Sequence, residues 1–420
     1  MVRMDDSTGS FDSWSGAGKC AKLRPTSPPL VMEDVPMKTR RQFLATGLAL
    51  PVLPATASAA FLGPQTAPPT TAPARSAQVP LQYRRIGRTD IEATTVSMGC
   101  MVTSDASVIE RAADMGVRLF DTARVYQKGN NEPLVGAALK SRRNKVFIVS
   151  KSTAGTKEEA LKNLDESLAA LGTDHLDIWH LHAKKAPEDL NDGLLEAQKL
   201  AREQGKIRYA GVSFHQNHEA MIDAVLAKKA FDVVLLSYNF SMKDRLDSRL
   251  QSLHDAGIGV IGMKVMAGAY PNKERLRESG AALAALRWTL RNPVVHTTIP
   301  SMTDMDQLEE NLKAMAAPFA PEDEKTLAAH LEEIKPLYCR MCGECTGVCP
   351  KGLPVADMLR FLSYADGYGQ YPLGREHFTS LSAEQQAVRC GDCPTCAVEC
   401  RNGVAVVARL SRAQELFARA

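Results

Sequence analysis

Apolar residues recur through the middle of the chain in two rhythms. Short runs such as Val117-Arg-Leu-Phe-Asp121, Val146-Phe-Ile-Val-Ser150 and Leu176-Asp-Ile-Trp-His180 are dense in β-branched and aromatic residues and end on polar ones. Between them, segments such as residues 158–171 place Leu161, Leu164, Leu168 and Leu171 three and four positions apart, the spacing of one helix face. The alternation predicts strands near 96–99, 117–121, 146–150, 176–182, 208–213, 232–238, 258–263 and 295–299, with helices between them. Eight such units predict an α/β (β/α)8 TIM barrel over residues 80–320. A doubly wound sheet is the alternative, but no Gly-x-Gly-x-x-Gly follows the first strand. Ahead of the barrel, residues 81–95 with Tyr83-Arg-Arg-Ile-Gly87-Arg-Thr-Asp90 predict a short hairpin closing its base.

Strand side chains alternate, so Leu119 and Asp121 share a face, as do Val149 and Lys151, and Ile178, His180 and His182. Each polar group ends an apolar row at a strand's carboxyl end, where parallel α/β folds present their chemistry. Tyr126 follows just past the first of these ends. Taken singly, each has a bland reading: Asp121-Thr122 as a helix cap, Tyr126 as packing, His182 as a satisfied core group. In this chain order, and with the flanking Asp121-Thr122-Ala123 and Glu132…Gly136, the set Asp121, Tyr126, Lys151 and His182 resembles the aldo/keto reductase superfamily over roughly residues 80–320. The resemblance implies interconversion of a small carbonyl and its alcohol. Tyr126 would give a proton to the oxygen that becomes alkoxide-like as hydride arrives. Lys151 would make that proton easier to release from a phenol whose free pKa is about 10. Asp121 would hold the Lys151 ammonium, and His182 would aim the substrate oxygen at the phenol.

The second half continues the likeness. Gly205-Lys-Ile-Arg-Tyr-Ala-Gly-Val-Ser213 resembles the family's fifth-strand approach, and Gly262-Met-Lys264-Val-Met-Ala-Gly268 the seventh-strand loop of its iron–sulfur-bearing branch. Ile299-Pro300-Ser301 with Asn311 resembles the final loop, which in the family cradles a dinucleotide's phosphates on backbone amides at a helix start. Ser213, Lys264, Ser301 and Asn311 are thereby implied as cofactor contacts; an ordinary capped helix is the other reading of that last loop. Departures cluster on the same cofactor. Phe214, Leu235 and Met263 stand where the family commonly reads and stacks a nicotinamide. Ser301 and Gln307, beside Asp304 and Asp306, stand where basic residues would grip an NADP 2′-phosphate. If a nicotinamide nucleotide binds, NAD(H) is expected before NADP(H).

Cysteine usage changes the picture after residue 320. Of ten cysteines, eight fall in two runs of one spacing, Cys339-x2-Cys342-x2-Cys345-x3-Cys349 and Cys390-x2-Cys393-x2-Cys396-x3-Cys400. Separated zinc pairs and disulfides fit this spacing poorly. It resembles the bacterial two-cluster ferredoxin pattern, in which three thiolates hold one 4Fe-4S cube and the fourth reaches the other. That implies Cys339, Cys342, Cys345 and Cys400 for one cluster, and Cys390, Cys393, Cys396 and Cys349 for the second. Arg401 replaces the proline expected after the second run. Val355, Met358, Leu359 and Leu362 share a helix face, so residues 321–420 are expected to form a small, mainly helical ferredoxin-like domain. Tyr364, Tyr368, Tyr371 and Phe378 in its middle read as packing. Cys20 reads as a leader residue and Cys100 as a buried strand-end thiol.

Residues 1–36 are rich in Ser, Gly, Asp and Pro without apolar period, a disordered or mis-assigned start, with Met32 and Met37 as alternative first residues. Residues 37–59 contain Thr39-Arg40-Arg41-Gln42-Phe43-Leu44, a short apolar segment and then Ala55-Thr-Ala-Ser-Ala59, which resembles a twin-arginine signal peptide. Residues 60–79 are a Pro/Thr/Ala linker. A periplasmic or otherwise exported address is expected, with the twin-arginine machinery as partner; that route carries folded proteins, as a chain with pre-assembled clusters requires. A net charge of +3 argues neither for nor against a nucleic-acid surface, but with no basic stripe interleaved with aromatics no nucleic-acid partner is expected, and no run of 18 apolar residues would span a membrane.

Three functional readings follow. Hydride chemistry moves two electrons and a cube moves one, and no flavin fingerprint bridges them. The first reading is an iron–sulfur oxidoreductase exchanging electrons between a barrel-bound carbonyl or alcohol and a one-electron redox partner. The second is a conventional NADH-linked carbonyl reductase with structural clusters. The third is an electron-transfer protein with an inactive barrel.

Overall fold

The computed structural model describes residues 79–242, 245–268, 270 and 272–418. The start, the twin-arginine segment and the linker expected up to residue 78 lie outside the described residues.

Strands β1 (Tyr83–Arg85) and β2 (Glu92–Thr94) form an antiparallel hairpin, Tyr83 opposite Thr94. Gly87 turns between them at φ 51°, and a Cβ there would sit 2.4 Å from the Gly259 nitrogen, so the hairpin lies directly against a barrel strand. Eight parallel strands follow: β3 (Met98–Gly99), β4 (Leu119–Asp121), β5 (Phe147–Ser152), β6 (Leu176–Lys184), β7 (Ile207–Phe214), β8 (Val233–Ser237), β9 (Gly259–Met263) and β10 (Thr297–Thr298). They neighbour one another in chain order, and parallel bridges Val96–Thr298 and Gly99–Ser301 bring the last back to the first. This nearly closed ring is the expected TIM barrel.

Alternation sorts each strand between two cores. Leu119, Val149, Ile178, Val233, Leu235 and Ile261 fill the inside of the barrel with Ile86, Ile91 and Ala93 from the hairpin. Their neighbours Phe120, Ile148, Trp179, Val212, Val234 and Val260 face outward into the larger core under the helices. The helix Lys157–Leu171 shows the local logic: Thr156 accepts from the Glu159 amide at its start, and Gly172 at φ 63° ends it. Its expected face holds, with Leu164, Leu168 and Leu171 buried and Leu161 partly so.

The helix Pro321–Ile334, assigned from sequence to the C-terminal domain, packs instead on the barrel: Leu327 and Ile334 join the barrel's outer core, and Asp323 pairs with Arg287 at 3.1 Å. Beyond it lies a separate core of Met358, Leu359, Leu362, Phe378, Leu410 and Phe417. These come from the helices Val355–Asp366, Tyr371–Thr379 and Val406–Ala418, beside one small ladder, β11 (Cys345–Thr346) with β12 (Glu399–Cys400). This mainly helical region docks on the loops at the carboxyl end of the barrel. Arg409 donates to the Tyr270 hydroxyl at 3.2 Å, Lys185 meets Asp357 at 3.0 Å, and a Cβ on Gly367 would stand 2.1 Å from the Gly268 carbonyl. No helix among the described residues is long and apolar enough to cross a membrane.

Candidate active site

Four expected residues converge at the carboxyl end of the barrel. Asp121 ends β4 and Lys151 lies near the end of β5, so parallel pairing sets them side by side. The Lys151 Nζ donates to Asp121 Oδ1 at 2.5 Å and to the Thr122 carbonyl at 2.6 Å, with both side chains buried. Tyr126 stands on the single turn Tyr126–Gly129, where Gln127 and Lys128 take left-handed φ values of 51° and 56°. The Gln127 amide pins this turn by donating to the carbonyl of Thr103 at 2.8 Å. The ring of Tyr126 thereby lies 4.9 Å from the Lys151 Nζ and meets the His182 ring edge-on at 5.8 Å. His182 is re-aimed at the end of β6, where the register to β7 shifts and Ala183 adopts φ 52°. His180, on the same strand, is fully buried with both ring nitrogens unpartnered, packed where Gly211 leaves room for it.

Burial sets the protonation states. It pushes the Asp121 carboxyl up and the Lys151 ammonium down, each opposed by the other across their contact. It pushes the Tyr126 phenol well above its usual 10, with Asp121, Tyr364 and Cys100 adding. Desolvation thus outweighs whatever Lys151 does to favour the tyrosinate, and Tyr126 rests protonated, as a donor must. Burial, then the Lys151 and Arg360 charges, keep His182 well below its usual range and neutral.

These groups open on a cavity of about 290 Å³. Lys264, Ser301 and Asn311 line it, and so does Met263. Ser213 does not: it is buried, and its hydroxyl accepts from the Ala183 amide at 2.9 Å, bracing the bend that aims His182. Phe214 and Leu235 are buried, in the outer and inner cores respectively. The helix start expected to cradle phosphate is already capped. Asp304 Oδ1 accepts from the Gln307 amide at 2.8 Å, and the Gln307 side chain donates to Asp304 Oδ2 at 2.5 Å.

Another part of the wall comes from the C-terminal region: Arg360, Tyr364, Tyr368 and His377. Reading Tyr364 and Tyr368 as simple packing is corrected here, whereas Phe378 is buried in the C-terminal core and Tyr371 is exposed. Burial works to raise the Tyr364 phenol, but the Lys264 and Arg360 charges outweigh it and hold the group below 10. The only signal in sequence was the i, i+4 spacing of Arg360 and Tyr364, which places them on one helix face without saying what that face meets.

The eight late cysteines fall into two neighbourhoods. Burial pushes the Cys339 thiol up to about 12, with Cys345, Cys342 and Cys400 adding their charge. Cys390 is raised by burial and then by Cys349, Cys393 and Cys396. Cys345 pairs with Cys400 across the β11–β12 ladder, and the Asn402 amide donates to the Cys342 sulfur at 3.3 Å. All cysteines among the described residues are free thiols, and Cys100 is buried as expected. No three His, Cys, Asp or Glu side chains among the described residues come close enough to hold a single metal ion. Thiols in two groups of four are the donor chemistry that a 4Fe-4S cube would take.

Comparison with known proteins bears on the barrel. The model of the aldo/keto reductase family matches residues 102–281 and 276–332, ending ahead of the first cysteine run. The uncharacterized oxidoreductase YqkF of Bacillus subtilis is 25% identical over 308 residues, spanning 60% of this chain and 97% of that protein. Methylglyoxal reductase DkgB of Escherichia coli O157:H7 is 26% identical over 238 residues, 53% of this chain and 86% of its own. Among solved structures, the holo form of aldo-keto reductase AKR11C1 from Bacillus halodurans shares the fold with a TM-score of 0.51 and 22% identity over 59% of this chain and 96% of that one. The thermostable aldo-keto reductase Tm1743, solved with the inhibitor epalrestat, gives 0.50 and 27% over 59% and 99%.

Proposed function

Since the chain belongs to the aldo/keto reductase family and is an oxidoreductase, we propose that it interconverts a small carbonyl and its alcohol at this cavity, with Tyr126 as proton donor and two 4Fe-4S clusters as electron carriers. One observation carries the reading: a protonated phenol on the cavity wall, with the Asp121–Lys151 pair beneath its ring and a neutral imidazole at its edge.

His182 holds the substrate oxygen within reach of the Tyr126 hydroxyl, which gives up its proton as negative charge grows on that oxygen. Lys151 stabilises the tyrosinate left behind, and Asp121 keeps the ammonium in place at 2.5 Å. In oxidation the same groups run in reverse. A nicotinamide nucleotide, when bound, would supply or accept hydride, and clusters would pass single electrons. Cys339, Cys342, Cys345 and Cys400 would hold one cube, and Cys390, Cys393, Cys396 and Cys349 the other; the neighbourhoods of Cys339 and Cys390 support that division. Asp304 and Asp306, beside Ser301 and Gln307, set like charge against a 2′-phosphate, which supports NADH over NADPH. Export by the twin-arginine route, with a one-electron partner outside the cytoplasm, completes the proposal.

Anaerobic protein isolated with its clusters should show cluster bleaching when given an alcohol substrate, and turnover with one-electron dyes. Steady bleaching-free turnover with NADH alone would favour the second reading, a conventional reductase with structural clusters, which Ser301 and Asn311 on the cavity wall support.

A further inference from the structure

The wall that the C-terminal region adds to the cavity is cationic. From the helix Val355–Asp366, Arg360 donates to Asp357 Oδ1 at 2.9 Å and to the Tyr364 hydroxyl at 3.2 Å, and its Nε is buried without an acceptor. Lys264 faces it from the loop after β9. Its ammonium lies 5.2 and 5.6 Å from the ring centroids of Tyr364 and Tyr368, and no carboxylate or carbonyl among the described residues accepts from it. Asp357 is shared between Arg360 and Lys185, so two cations meet one carboxylate. The other acids of the cavity are spent elsewhere: Asp121 on Lys151, Glu310 on Arg277, with Glu376 exposed at the rim. Ring faces attract the ammonium but carry no charge, and a negative ligand in the cavity would supply the counter-charge that Lys264 lacks.

This wall stands beside the reacting groups. Arg360, Lys264 and Tyr364 line the same cavity as Tyr126 and His182. We propose that Arg360 and Lys264 form an anion-reading subsite for a carboxylate that the substrate carries next to its reactive carbonyl, so that the substrates are small oxo acids and their hydroxy-acid counterparts. The inference rests on the carbonyl–alcohol reading above and names its substrate class. A nucleotide phosphate shares the anionic chemistry, but its place would be the loop after β10, which borders β3 and whose helix start Asp304 already fills.

The test is binding without turnover: calorimetric titration of the purified full-length protein with phenylglyoxylate and with its uncharged methyl ester. The acid should bind about tenfold tighter or more, as two charge-assisted hydrogen bonds require. Arg360→Met and Lys264→Met should each bring the acid towards the ester while leaving the ester's affinity unchanged, and Arg360→Lys should keep part of the preference. Inorganic pyrophosphate should fail to displace phenylglyoxylate. Equal affinity for acid and ester in the unaltered protein overturns the subsite, with no variant needed, and displacement by pyrophosphate assigns the cations to a nucleotide. Loss of turnover in Tyr126→Phe with the acid preference intact, or the reverse, separates failure of the general reading from failure of this one.

Discussion

At the scale of single residues, the Asp121–Lys151 pair is both chemical and structural. Lys151→Met leaves a carboxylate buried with no counterion and should cost about 3–5 kcal/mol in urea unfolding, while the double change Asp121→Asn with Lys151→Met should recover much of it. A double change that costs the sum of the two single changes would show that the pair is not coupled. Tyr126→Phe removes only a hydroxyl: turnover should fall by about 10²–10⁴-fold in steady-state assays, with the thermal midpoint nearly unmoved. Activity close to that of the unaltered protein would remove the phenol from the mechanism. Asp121 and Lys151 were legible in sequence because each ends an apolar row on a strand, with Tyr126 just past the first such end, and parallel pairing turns strand ends into neighbours. The direction of the Tyr126 shift was not legible, because desolvation depends on what closes over the ring, and part of that comes from residues far along the chain. Ser213 misled for a related reason: a hydroxyl at a strand's end can serve the backbone beside it as readily as a ligand.

At the scale of elements, two short segments decide what the cavity can hold. Asp304 caps the helix Met305–Leu312 with a carboxylate, so Asp304→Ser keeps a capping oxygen and removes the charge. Stability should change by less than about 1 kcal/mol, and affinity for NADH, read by fluorescence titration, should rise. An unchanged affinity would place the nucleotide, if any, elsewhere. The Val355–Asp366 helix approaches the loop after β9 so closely that a Cβ on Gly367 would stand 2.1 Å from the Gly268 carbonyl. Gly367→Val should cost about 1–3 kcal/mol in denaturant unfolding by forcing helix and loop apart. A variant as stable as the original would mean that the close approach is not maintained in solution. Strand and helix positions were readable because apolar period reports burial directly. The docking face of this helix was not, since its inner stripe and its outer face both carry large residues, and only tertiary contact separates core from wall.

For the whole molecule, the histidines link stability to acidity. Burial holds His218 and His296 down at about 4 in the folded chain, against about 6.5 when unfolded. Between those values the unfolded chain binds protons that the folded one does not, so stability is lost as pH falls from about 6.5 to 4, by roughly 1.4 kcal/mol per pH unit for each such histidine. Thermal unfolding across that range should show the slope, and His296→Gln should lessen it; a flat profile would mean that these rings are hydrated in the native state. The division into a barrel and a cysteine-bearing region was legible from composition and spacing. That the two share one cavity was not, because no local pattern records which surface a later segment will come to rest on. The order of synthesis gives that sharing a further meaning. Ribosomes deliver the barrel first, with its mouth open, and residues 360–377 emerge only near the end of translation. A nascent or truncated chain would thus own the proton donor but lack the chamber around it, and substrate selection begins only once the final helices have folded down.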